Sequence, residues 1–197
     1  MPISFVDSLD SKMHLLLLYE DPEFAKLIEF RFIKNGLKND ENCIYASSED
    51  SGLIVIKMLS YGIPLKYFQS NQLRVLQIKN REGSKEAILQ SCRNDTKRIM
   101  SDLKPPYRIV TRIVPNVDTK EGICVELELE RNLHKTFEEF GGSILCPYDI
   151  SKIEETKREK WIEELRQNHH AEIRVSKSGQ GSFSYLPTSL KSNRNRK

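Results

Sequence analysis

The first strong signal along the chain is an unbroken apolar run, His14 to Tyr19 (HLLLLY), which predicts a strand buried on both faces of a parallel sheet. Asp21 and Pro22 follow as N-cap and first helical residue. Phe24, Leu27, Ile28 and Arg31 then recur at helical spacing, and Asn35-Gly36 is expected to close the helix. Asn42 to Ser47 (NCIYAS) reads as a second strand. Ile54, Val55, Met58 and Leu59 line one face of a helix ending at Tyr61-Gly62, and Leu73 to Lys79 reads as a third strand. Ser84 opens a longer helix with the stripe Ile88, Leu89, Cys92, Ile99, Met100 and Leu103, which Pro105-Pro106 stops. A strand is expected over Tyr107 to Val114. Ile123, Leu127, Leu133, Phe137 and Phe140 mark another helix, halted by Gly141-Gly142 before a strand over Ser143 to Cys146. Ser151-Lys152-Ile153-Glu154 has the form of a capping box, predicting a helix that carries Ile153, Trp161, Ile162 and Leu165. Ala171 to Ser176 and Ser182 to Leu186 alternate like two edge strands joined by Ser178-Gly179-Gln180-Gly181.

Strands alternating with long helices imply right-handed crossovers. The predicted architecture is therefore an α/β fold: a mainly parallel sheet with helices on both faces and an antiparallel hairpin late in the chain. Ligands of such sheets bind at the carboxyl ends of the strands. That rule singles out the loops carrying Tyr19-Glu20-Asp21, Ser48-Glu49-Asp50, Pro115-Asn116 with Asp118, and Pro147-Tyr148-Asp149.

Composition narrows the function. With 197 residues and 38% hydrophobic content, one core is expected, over residues 1–187, followed by a basic tail, 188–197. Of 31 bases, Lys177, Lys191, Arg194, Arg196 and Lys197 lie in a stretch without acids, so residues 1–176 hold 26 bases against 28 acids. A weakly acidic body argues against a nucleic-acid-binding fold and leaves only the tail as a polyanion contact. No apolar run is long enough to span a membrane, and Met1 to Lys12 lacks the core of a signal peptide, so a cytoplasmic location is expected. Cys43, Cys92, Cys124 and Cys146 are far apart, which predicts buried free thiols. The histidines His14, His134, His169 and His170 show no metal-ligand spacing, so neither a metal nor another cofactor is expected. His14 is read as a core residue and His169-His170 as a cap on the preceding helix.

The turn after the first strand is where a phosphate-binding loop would lie. Such a loop needs two glycines so that backbone N–H groups can wrap a phosphate, then lysine and a hydroxyl for magnesium. The chain offers Glu20-Asp21-Pro22-Glu23-Phe24-Ala25-Lys26-Leu27 instead. Lys26 falls at the lysine position, but the glycines and the hydroxyl are missing, Pro22 removes a donor, and the carboxylates repel a triphosphate. Lys26 is therefore read as a solvated helix residue, and the protein as no enzyme. Nor does an acid follow the strand over Tyr107 to Val114, where a second magnesium ligand would stand.

His14-Leu15-Leu16-Leu17-Leu18-Tyr19-Glu20, then Gly36-Leu37 with Glu41-Asn42-Cys43-Ile44-Tyr45, then Ile144-Leu145-Cys146-Pro147-Tyr148-Asp149 occur in an order and spacing that resemble the MEDS family, the methanogen and methylotroph sensory domains. The resemblance covers roughly residues 11 to 176. It implies a three-layer fold similar to the RecA and KaiC-type ATPases, with degenerate nucleotide motifs, and a prokaryotic sensory role in transcription regulation or signal transduction. The implied partner is a small molecule or a regulatory protein such as a kinase or transcription regulator. No helix-turn-helix or kinase motif is visible in this chain, and the strand over Tyr107 to Val114 ends less acidically than the family pattern. The resemblance places ligand-binding candidates at Tyr19, Glu20, Glu49, Arg112, Glu126, Glu130 and Tyr148. Tyr19 and Tyr148 would present apolar walls with polar tips, and Arg112 would hold an anion or neutralise Glu126 or Glu130, which sit one helical turn apart. A degenerate nucleotide-binding ATPase using Lys26, and a nucleic-acid accessory protein using the tail, are the competing readings. Exposed edge strands would permit a homodimer.

Overall fold

The computed structural model describes residues 1–79, 81, 83–112, 120–153, 155–177 and 179–187. Within them, strand β1 (His14–Tyr19) leads through helix α2 (Pro22–Lys38) to β2 (Asn42–Ser47), preceded by a short helix α1 (Pro2–Asp7). Helices α3 (Ser51–Ser60) and α4 (Lys66–Gln69) precede β3 (Leu73–Gln77), and α5 (Lys85–Met100) precedes β4 (Tyr107–Thr111). Then come α6 (Lys120–Lys135), α7 (Phe137–Phe140), β5 (Gly142–Asp149), α8 (Glu155–Arg166), β6 (Ala171–Val175) and β7 (Gly181–Tyr185). The strands form one sheet in the order β3-β2-β4-β5-β1-β6-β7, parallel throughout except for β7, which runs antiparallel to β6.

Period-two alternation along these strands divides the core into two layers. Leu15 and Leu17 of β1, Tyr45 of β2 and Val110 of β4 pack against α2 and α3 through Ile28, Phe32, Ile33, Ile54 and Met58. On the other face, Leu16, Leu18, Ile44, Ile109, Cys146 and Tyr148 meet Ile123 and Leu127 of α6, Phe137 of α7 and Trp161, Ile162 and Leu165 of α8. Helix α5 lies against α6 through Ile88, Leu89, Cys92 and Val125. The result is the expected three-layer α/β arrangement. None of the described helices is long and apolar enough to cross a membrane.

Several expectations are corrected. Helix α2 runs through Asn35-Gly36 to Lys38, because Gly36 is not a cap: a Cβ there would stand 2.6 Å from Arg108 Cβ, so the glycine admits a close crossing. By contrast, Gly62 (φ 77°) does close α3, with Ile63 N–H donating to Met58 O and Gly62 N–H to Leu59 O. The capping box expected between Ser151 and Glu154 falls outside the described residues, and Ser151 itself precedes the described part of α8. It lies in a 3-10 turn (Ile150–Lys152), where the Asp149 carboxylate accepts from its N–H and hydroxyl, and α8 starts at Glu155. Strand β6 is not an edge, since β1 flanks it on one side and β7 on the other. Cys124 is exposed, whereas Cys43, Cys92 and Cys146 are buried. Ile113 and Val114, the loop with Pro115, Asn116 and Asp118, Glu154 and the tail 188–197 lie outside the described residues.

Candidate functional site

Two polar clusters stand out, one at the carboxyl ends of the strands and one beneath α6 that reaches back to His14 at the start of β1. At the ends of β1, β2 and β4, Lys26 on the first turns of α2 donates to Tyr45 Oη at 2.7 Å and to Glu49 Oε1 at 2.5 Å, with Glu29 Oε2 at 3.4 Å. The Tyr45 hydroxyl donates in turn to Glu29. Burial works to lower the Lys26 pKa, but Glu29 and Glu49 hold the ammonium above its ordinary value. Lys26 is thus not a solvated helix residue, as the sequence suggested; only 14% of its side chain is exposed. Glu29 lies one turn on along α2, but Tyr45 and Glu49 face Lys26 from β2 and the following loop, contacts that helical spacing cannot reveal. Arg112, just beyond β4, donates to Pro147 O and reaches the Tyr19 hydroxyl, with its guanidinium 5.5 Å from the Tyr148 ring centre. The small cleft among these groups has a volume of about 70 Å³.

The second cluster is deeper. Alternation along β1 and β5 sends His14, Cys146 and Tyr148 toward α6, and a one-turn spacing on α6 brings Glu126 and Glu130 to meet them. The Tyr148 hydroxyl stands 2.7 Å from Glu126 Oε1 and 2.5 Å from Glu130 Oε1. Glu130 Oε2 is 3.0 Å from His14 Nε2 and 3.7 Å from His169 Nε2, and Cys146 Sγ is 3.4 Å from His14 Nε2. His169 Nδ1 lies 2.6 Å from Leu165 O in the last turn of α8; a carbonyl can only accept, so Nδ1 carries the proton. Burial, and then His14, lower the His169 pKa to about 3 and keep that ring neutral. Burial opposes ionisation of Glu130, yet the adjacent His14 and the Tyr148 hydroxyl hold its carboxyl below the usual range. Burial pushes the Cys146 thiol and the Tyr148 phenol well above theirs. His14, Glu130, Cys146 and His169 are all buried residues of metal-ligating types.

Beside this cluster, a cavity of about 450 Å³ opens between the sheet and helices α5 and α6. Ile44, Ala46, Ile109, Met100 and Leu133 give it an apolar lining, and Glu126, Glu130 and Cys146 stand in its wall.

The model of the MEDS family, described as the methanogen/methylotroph, DcmR sensory domain, matches residues 13–170, the span that holds β1 through α8 and both clusters. The chain belongs to the MEDS family. No curated protein matches it. Among solved structures, this MEDS domain is similar to a protein of Pyrococcus horikoshii OT3, with a TM-score of 0.60, 10% identity, and 94% and 92% of the two chains covered. A KaiC-like protein of that archaeon gives a TM-score of 0.55 at 13% identity, covering 89% of this chain and 79% of its own. The flagellar accessory protein FlaH of Methanocaldococcus jannaschii gives 0.55 at 14%, with coverage of 91% and 82%. The fold is therefore of the KaiC-like, RecA type.

Of the residues singled out from the sequence, this MEDS domain joins Glu126, Glu130 and Tyr148 in the deep cluster, and Glu49 and Lys26 at the strand ends. Arg112 bridges Tyr19 and Tyr148, and Glu126 is near enough for its charge to help hold the guanidinium protonated. Glu126 and Glu130 form no solvated face, each being 4% exposed. Glu20 stays apart: its N–H donates to Val175 O, and among the described residues its side chain joins neither cluster. Sequence reasoning missed the histidines. His14 N–H donates to the Nδ1 of His170, 156 positions away, so no short spacing announces the group. The cap expected of His169 is present in its bond to Leu165 O.

Proposed function

We propose that this chain is a non-catalytic sensory domain that takes a small, largely apolar molecule bearing one hydrogen-bond-donating or cationic group, and that it signals by associating with a separate regulatory protein. The cavity between the sheet and helices α5 and α6 carries the reading. Ligand pockets run from about 300 to 1,000 Å³ and combine apolar walls with a few convergent polar groups, and this one offers about 450 Å³ with two carboxylates on one side. A donor or cationic group on the ligand would find Glu126 and Glu130 as acceptors in that wall, beside the Tyr148 hydroxyl that contacts both. Membership of a sensory-domain family supports the same reading.

The KaiC-like fold raises nucleotide hydrolysis as the alternative. Against it, the phosphate-binding turn has Pro22 and no glycine, Asp21 already occupies the first α2 amides, and Lys26 is held by Glu49 and Tyr45.

Thermal denaturation with butylamine, hexylamine and the matching alcohols, set beside ATP with magnesium, tests the choice. A ligand at about a hundred times its Kd should raise Tm by roughly 5 °C or more, and Ala46→Leu, which grows into the cavity, should abolish the rise. A rise with magnesium-ATP that Lys26→Ala removes would instead establish the alternative.

A further inference from the structure

We infer that His14, Glu130, Cys146 and His169 form a four-ligand site for a divalent transition metal of the zinc class. The inference stands on the donor atoms themselves and does not depend on the sensory reading.

All four donor atoms lie within 4.8 Å of one another. Around a tetrahedral ion with bonds of about 2.0 Å to nitrogen or oxygen and about 2.3 Å to sulfur, ligand atoms stand roughly 3.3–3.6 Å apart. The separations His14 Nε2 to Glu130 Oε2 (3.0 Å), His14 Nε2 to Cys146 Sγ (3.4 Å) and His169 Nε2 to Glu130 Oε2 (3.7 Å) bracket that spacing. Three of the six separations thus match the edges of a coordination shell, and the other three stay within 4.8 Å.

A second observation points into the same space. The proton on His169 Nδ1, fixed by Leu165 O, leaves the neutral ring presenting the Nε2 lone pair toward the Glu130 carboxylate. Glu130 Oε2 itself, on a residue 4% exposed, has only ring nitrogens facing it, His14 Nε2 at 3.0 Å and His169 Nε2 at 3.7 Å. A lone pair and a carboxylate oxygen facing each other in a buried site repel, and a cation between them turns that repulsion into two bonds. Both ligands also have the outer contacts that orient metal-bound groups: His169 donates its other ring proton to a backbone carbonyl, and Tyr148 holds the second oxygen of Glu130.

The donor set selects the ion. One thiolate, one carboxylate and two neutral imidazoles offset a divalent charge, so the loaded site is electroneutral in its apolar surroundings, with the thiol proton released on coordination. Thiolate and imidazole favour zinc, cobalt and their neighbours, whereas magnesium and calcium need oxygen ligands. Glu130 and Cys146 also line the cavity, which gives the ion a way in.

The test is a Co²⁺ titration of the full chain after chelator treatment. It should show one equivalent bound, with the intense visible bands of a tetrahedral ion and a thiolate-to-cobalt charge-transfer band in the near ultraviolet, both erased by one equivalent of Zn²⁺. Cys146→Ser should remove the charge-transfer band, and Glu130→Gln should keep it while weakening binding by more than the roughly 10–100-fold that loss of an outer contact costs; Cys124→Ser, at an exposed thiol, should change neither. A spectrum without the charge-transfer band, or one that survives Cys146→Ser, overturns the assignment. A readout free of folding problems is the unmutated chain. Zn²⁺ should raise its Tm where Mg²⁺ does not and should protect Cys146 from alkylation, and failure of either effect counts equally against the site.

Discussion

Gly36 stands in the interior of α2 directly over Arg108, and the two residues together decide how closely the helix approaches the sheet. Alanine is the better helix former by about 1 kcal/mol, so local propensity alone makes Gly36→Ala stabilising. The added Cβ, however, would lie 2.6 Å from both Cβ and Cγ of Arg108 and 3.0 Å from Glu41 Oε2. Arg108 cannot give way easily, because it is 1% exposed, donates to both Glu41 oxygens at 2.6 and 2.8 Å and to Leu9 O at 3.3 Å, and lies 4.8 Å from the Phe32 ring centre. Gly36→Ala should therefore destabilise by about 2 kcal/mol in urea unfolding. Glu41→Ala, which strands the buried guanidinium, should cost about 3 kcal/mol or more.

At the scale of elements, helix starts are a matter of local competition for amide protons. Asp21 wins at α2, accepting from Glu23 N–H and Phe24 N–H at 3.1 Å each, and Asp21→Ala should cost about 1 kcal/mol by chemical denaturation. Asp149 accepts from the Ser151 N–H and hydroxyl in the turn before α8, and Ser151→Ala, at an exposed residue, should change stability by less than about 0.5 kcal/mol. This contrast marks how far the sequence carried. The cap of α2, the Gly62 closure and the shared face of Glu126 and Glu130 rest on residues a few positions apart and were legible. The interior place of β6, the gathering of His14, Cys146 and His169, and the capture of Lys26 by Glu49 depend on sheet order, which no local pattern encodes.

For the molecule as a whole, α1 fastens the late hairpin to the first helices. Phe5 stacks on Phe183 with ring centres 3.7 Å apart, Pro2 lies so close to Gly181 that a Cβ there would be 2.7 Å from Pro2 Cγ, and Asp7 receives Arg31 of α2. Phe5→Ala should cost about 1–2 kcal/mol and act unevenly. Amide hydrogen exchange in β7 should quicken, while β1, held by β5 and β6 on its two sides, keeps its protection. The position of β1 has a further consequence during synthesis. It is the first strand of this sheet in chain order, yet its neighbours β5 and β6 begin at Gly142 and Ala171, so about 120 residues separate its end from its nearest partner. At ribosomal speeds of 5–20 residues per second, the Leu15–Leu18 run waits roughly 6 to 25 s for that partner. Through that interval four adjacent leucines lack both strand neighbours, the kind of exposed apolar segment that makes an unfinished chain prone to stick to others.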